Sequence, residues 1–186
     1  IRRAEVPEAN LRLRGALDDF PFREGGGEFR VTIRVVDALL DYAPGWPSID
    51  GIFGEVRFEG PELRIEAARG RILGVALSEV VADVPDLDAM PSPVMSIVGK
   101  AAGPTAEFLR FVSESPVSAR IGGFTDGMRA EGRGALDLRL ALPLKEMDDS
   151  TVDGEYRFGA NRLWLVDGLP VLEDAGGRLR FTADTL

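Results

Sequence analysis

Carboxylates are the only side chains here whose pairing could suggest a reaction. Asp18-Asp19 and Asp148-Asp149 are adjacent acid pairs, and two carboxyl groups held in different environments can divide acid and base roles. A glycosidase needs the two to converge across a substrate from separate elements. Neighbours on a strand point to opposite faces, and neighbours in a turn are solvated, so these pairs read as turn acids. The rest of the catalytic repertoire is closed by composition. The chain has no histidine and no cysteine, which removes serine–histidine, cysteine–histidine and histidine- or thiolate-zinc chemistry, and disulfides with them.

The glycine runs are no better as sites. Gly25-Gly26-Gly27 precedes a strand rather than a helix and lacks the lysine and hydroxyl of a phosphate loop. The stretch Gly99-Lys100-Ala101-Ala102-Gly103 has the wrong order for one. Asp50, Asp148, Asp149 and Asp153 do not follow the spacing of a calcium loop. Trp46 and Trp164 read as packing residues rather than ligand platforms. No catalytic residue, metal or cofactor is expected. The net charge of −9 repels phosphate backbones, so nucleic acid is not an expected partner. It also disfavours docking on anionic headgroups, so any lipid contact has to come from apolar surface.

What the sequence does carry is period-two alternation. Leu136, Leu138, Leu140, Leu142 and Leu144 alternate with Asp137, Arg139, Ala141 and Pro143, the pattern of a strand with one leucine face. Phe29, Val31, Ile33 and Val35 alternate with Arg30, Thr32 and Arg34, and Leu11 and Leu13 with Arg12 and Arg14. Shorter runs follow at Val56–Phe58, Leu63–Ala67, Tyr156–Phe158, Leu163–Leu165 and Leu179–Phe181, bounded by turn residues. From Arg71 to Val84 both faces are largely apolar, which predicts one longer, more buried strand with a bulge near Ser78–Glu79.

Two stretches break this rhythm. Thr105 to Ser115 carries Phe108, Phe111 and Val112 at helical spacing, with Pro104 before it and Pro116 as a stop, so an amphipathic helix is expected over 104–115. A short helical turn is expected over 36–42, before the Pro44-Gly45-Trp46-Pro47 corner, and a loop over 85–93. Residues 50–65 and 153–165 form a weak internal repeat, with Glu55-Val56-Arg57-Phe58 matched by Glu155-Tyr156-Arg157-Phe158. Together these features predict one elongated, mainly β segment over 1–186. The chain opens at Ile1 rather than Met and holds no run of eighteen apolar residues, so a longer polypeptide is expected, with any membrane anchor outside this stretch.

Several of these motifs, in this order along the chain, resemble the middle of a YhdP-family protein. They are Leu-Arg-Leu-Arg-Gly-Ala-Leu-Asp-Asp-Phe-Pro-Phe (11–22), Gly-Glu-Phe (27–29), Leu-Asp-Tyr-Ala-Pro-Gly-Trp-Pro-Ser-Ile (40–49) and Gly-Arg-Ile (70–72). Ser-Glu-Ser-Pro (113–116), Leu-Pro-Leu (142–144) and Gly-Arg-Leu-Arg-Phe-Thr (177–182) complete the set. The YhdP family belongs with the AsmA-like proteins, TamB among them. The resemblance implies a non-catalytic periplasmic segment of an inner-membrane-anchored protein of Gram-negative bacteria. It also implies an extended, curved antiparallel sheet whose open apolar groove carries phospholipid toward the outer membrane, with other envelope proteins as further partners.

On that reading alternate side chains line the groove and shield acyl chains. The expected inward-facing residues are Phe29, Val31, Ile33, Val56, Phe58, Leu136, Leu138, Leu140, Tyr156 and Phe158. About a dozen strands at ~4.8 Å spacing would supply some ~55 Å of groove. Alternation alone is equally the pattern of a closed β-sandwich, a structural or protein-interaction module whose apolar faces are sealed against each other. The two differ in whether the apolar face is covered.

Overall fold

The computed structural model describes residues 1–23, 25–166 and 168–183. They form one nine-stranded antiparallel sheet in which every strand pairs with its neighbour in sequence, in the order β1 to β9. The strands are β1 (Arg3–Arg14), β2 (Glu28–Leu40), β3 (Ile49–Glu59), β4 (Glu62–Ile72) and β5 (Val75–Val84), then β6 (Val94–Pro104), β7 (Arg129–Pro143), β8 (Thr151–Trp164) and β9 (Leu172–Ala183). A helical insertion, α1 (Thr105–Ser113) and α2 (Val117–Arg120), links β6 to β7. The sheet is not closed: among the described residues β1 and β9 each pair on one side only.

The alternation expected at Leu136–Leu144 and Phe29–Val35 lies within strands β7 and β2, although β7 stops at Pro143 and leaves Leu144 outside. The helix over 104–115 is present as α1. The loop over 85–93 lies between β5 and β6, and some other expectations need correction. Residues 36–40 continue strand β2, and no helix forms over 36–42. The single long strand expected over 71–84 is the end of β4, a turn at Leu73-Gly74, and β5. Strand β6 carried no sequence signal, because Val94, Met95, Ile97 and Val98 are apolar on both sides and Gly99, Ala101 and Gly103 are small. Nine strands replace the dozen expected. The two copies of the internal repeat differ in structure: 50–65 spans the β3–β4 hairpin, whereas 153–164 lies within the single strand β8.

Bulges explain the broken rhythm. Register shifts interrupt six of the strand pairs, and Asp37, Gly51, Glu79, Ala160 and Asp174 take positive φ within their strands. An extra residue bends a strand and raises its twist, and it also resets which side chains share a face. In β2 strict alternation from Phe29 would bring Asp37 onto the apolar face and turn Ala38 and Leu40 away. The bulge at Asp37, φ 51°, reverses this, and Ala38 pairs with Ile52 and Leu40 with Ile49. The expected bulge near Ser78–Glu79 is found at Glu79, φ 52°, and it keeps Leu77, Val80 and Ala82 on one side. One face therefore stays apolar along strands too long for an unbroken period of two.

Packing is thin for a chain of this length. Phe22, Ala38, Ile72, Val75, Ala82, Val84 and Ala130 form the buried hydrophobic core among the described residues, and of these only Val75 and Val84 are fully buried. A sandwich would bury a whole layer from each of two sheets. Here there is one sheet, and the closed β-sandwich is not the architecture.

Candidate functional site

All ten residues expected to face inward fall on one face of the sheet. Directly paired residues in an antiparallel sheet share a face, so the register traces rows across it. One row runs Ala9, Ile33, Val56, Ile65, Ala82, Ile97, Leu140 and Val152, from β1 to β8 without a polar residue. The next runs Leu11, Val31, Phe58, Leu63 and Val84. Phe29 pairs with Leu13, Leu136 pairs with Tyr156, Leu138 with Gly154 and Gly134 with Phe158. Each of the ten is half-buried, neither sealed nor free. At the two edges the face opens further, with Leu11 68% exposed on β1 and Leu179 57% exposed on β9.

The opposite face is a ladder of charges. Arg30 pairs with Glu59, Arg64 with both Glu66 and Asp83, Arg157 with Asp137 and Glu155, and Arg139 with Asp153. Glu155 also accepts from Arg180 and pairs with Arg178. The Arg180 hydrogen bond, with the neighbouring guanidinium charges, lowers the Glu155 carboxyl below its ordinary value. A recess of about 680 Å³ opens among Thr32, Arg34, Glu55, Arg57, Glu66 and Glu79 on this side, beside the bulges. Val36, Phe53, Ala68 and Val81 share its lining, and some of its charges answer one another, with Arg57 on Glu55 at 2.6 Å and Glu79 on Lys100 at 2.5 Å. The carboxylate pairs Asp18-Asp19 and Asp148-Asp149 sit exposed in short 3₁₀ turns.

Both strand ends of the apolar face carry a border. At one end the β1–β2 loop lies against the face, where Phe20 meets Phe29 edge-on with centroids 5.0 Å apart. The same loop reaches the β5–β6 loop through Arg23, which donates to both oxygens of Asp86 at 2.5 and 2.6 Å and to Asp88 at 2.9 Å. That bridge holds the Asp86 carboxyl down at about 2. At the other end α1 lies on the face. Phe108 packs on Tyr156 with centroids 4.9 Å apart, and Phe111 on Trp46, from the β2–β3 corner, at 5.8 Å. The Gly74 N–H, in the β4–β5 turn, donates to Glu107 at 3.3 Å. Trp46 is thus a packing residue of this border. Trp164 pairs with Arg129, and the Arg129 and Arg162 guanidiniums lie 5.7 and 5.3 Å from its ring.

An open sheet with one continuous apolar face, one charged face and bordered strand ends offers apolar surface for contact. A family model described as YhdP protein matches residues 1–186. The chain belongs to the YhdP family. Among curated proteins it is similar to the intermembrane phospholipid transporter YhdP of Escherichia coli (strain K12), with 24% identity over 184 residues. That match covers 97% of this chain and 14% of the length of the E. coli YhdP protein. No solved structure matches the chain.

Proposed function

We propose that this chain is a section of a non-catalytic conduit for phospholipid between the inner and outer membranes, working in the periplasm of a Gram-negative cell as part of an inner-membrane-anchored protein. The observation that carries the reading is the unbroken apolar row from Ala9 to Val152 on a face that no second sheet covers. Contiguous apolar surface left open marks a place where something apolar binds. Membership in a family that includes an intermembrane phospholipid transporter supports an acyl chain as the occupant.

The physics suits passage rather than capture. Each methylene withdrawn from water contributes ~0.8 kcal/mol, so a two-chain lipid is held against water as a whole. Successive strands offer nearly equivalent apolar residues, so a step from one to the next changes that sum little. Nine strands at ~4.8 Å spacing give roughly 38 Å of path. The lane runs across the strands, between the two bordered ends, and headgroups stay at its open mouth.

The test is photo-crosslinking in cells from benzophenone side chains placed at Leu138 and Phe58 on the apolar face, and at Arg139 and Arg57 on the charged face, with mass analysis of the adducts. Phospholipid adducts are expected at the first two positions only. Equal labelling on both faces, or none at Leu138 and Phe58, removes the reading.

A further inference from the structure

The border at α1 is fixed by a buried polar lock rather than by apolar packing alone. Thr105 is buried, and its Oγ1 accepts from the Tyr156 hydroxyl at 2.9 Å and from Asn161 Nδ2 at 2.6 Å. Asn161, fully buried, uses its Oδ1 to accept the Arg133 N–H at 3.0 Å. That N–H is free because the Ala160 bulge shifts the β7–β8 register there. Burial raises the Tyr156 phenol above its ordinary value, so it stays a donor at neutral pH. Every polar atom of the lock is satisfied within it or by the β7 backbone, the condition under which a buried network rigidifies.

Two glycines make the room. A Cβ at Gly132 would collide with the Asn161 side-chain amide, and one at Gly134 with the Tyr156 phenol. Gly134 lies opposite Phe158 on the apolar face, so the Tyr156 ring leans along the sheet to reach the helix instead of standing up into the space above it. With Trp46 and Gly74 as its other supports, α1 is braced from the β2–β3 corner to β8.

We propose that α1 is a fixed wall of the lipid lane, so that Tyr156 belongs to the wall and acyl chains run over the Leu138, Leu140 and Leu142 rows. This rests on the phospholipid reading above. Of the fifteen residues of β7, the wall takes the Arg129–Gly134 end. The floor from Leu138 to Leu142 that remains is about 14 Å wide at ~3.4 Å per residue.

The experiment places a benzophenone side chain singly at Leu140, Tyr156 or Phe108 in the full-length protein in cells and identifies the adducts by mass. Leu140 is expected to capture phospholipid. Probes at Tyr156 and Phe108 are expected to join the 105–113 segment to β8 within the chain and to capture no phospholipid above the unirradiated control. With the probe at Phe108, where Tyr156 is intact, Asn161→Ala should lower the intrachain product and let phospholipid appear, and Gly134→Ala, whose Cβ would meet the Tyr156 ring, should do the same. Phospholipid at Phe108 without these substitutions at the Leu140 level overturns the wall, as does an intrachain product unchanged in both variants. If the intrachain product forms and no position captures phospholipid, the transport reading itself falls and the lane boundary goes with it.

Discussion

Arg139 and Leu140 are neighbours on β7 and belong to the two faces of one sheet. Arg139 stands among cross-strand ion pairs that remain in water, where screening leaves each pair little net effect. Leu140 sits in a row of apolar residues that only half cover one another. The charged face is complete as it stands. The apolar face is not: among the described residues no second sheet covers it, and apolar surface is favourable to withdraw from water at ~25 cal/mol per Å². The difference teaches that the sheet folds with one face satisfied and the other available.

The largest effect expected from breaking this contrast is a swap at those two neighbours. Leu140→Arg puts a charge where an acyl chain would lie, at a cost of ~3 kcal/mol if the site resembles a bilayer interior, and should cut phospholipid adducts at Leu138 by roughly 100-fold. Arg139→Leu should leave them unchanged. Adduct yield at Leu138, with protein level and circular dichroism to show that the sheet has formed, checks both.

A smaller effect is expected at the wall. Asn161→Ala leaves the Arg133 N–H without its partner and takes one of its two donors from the Thr105 hydroxyl, a loss of ~1–3 kcal/mol. Hydrogen exchange of the α1 amides should quicken about tenfold or more, while amides of β3 and β4 keep their protection. Uniform loss of protection would mean that the wall and the sheet are one cooperative unit.

The opposite border should respond to acid. Asp86 is held at about 2, below its ordinary 3.8, by the Arg23 hydrogen bonds, so once the bridge is released it takes up a proton more readily. The stabilisation is therefore complete above about pH 4 and is lost as pH falls toward about 2. Asp86→Asn should flatten that part of the stability profile. Thermal unfolding between pH 4 and pH 2 measures it.

The smallest effect is expected on the charged face. Glu155→Gln removes the carboxylate shared by Arg157, Arg178 and Arg180, and its consequence should shrink as salt is raised. A change in lipid adducts at Phe58 on this substitution would show that the faces are coupled.

How much of this was legible follows the period of the chain. Runs such as Phe29–Val35 and Leu136–Leu142 alternate cleanly, and the face they define is the face found. Ala38, Leu40, Leu77 and Val75 lie on the same face but were not assigned to it, because a bulge between each pair and the regular run shifts the period by one. The helix of one border was legible in Thr105 to Ser115, but the contacts that seat both borders were not. Phe20 on Phe29, Arg23 on Asp86 and Thr105 on Asn161 join residues 9, 63 and 56 positions apart, and no local pattern encodes such meetings.

The sequence by itself determined that this protein is mainly β, that it holds no histidine or cysteine chemistry, and that its strands are apolar on alternate positions. Those are properties of residue type and of the two-residue repeat, which survive in any fold that keeps the strands. Whether the apolar face would be sealed or open was decided only by tertiary structure. Alternation states which side chains share a face. What covers that face depends on where a second sheet, a loop or a helix comes to rest, and here one sheet with α1 at its border leaves the Leu138–Leu142 floor uncovered.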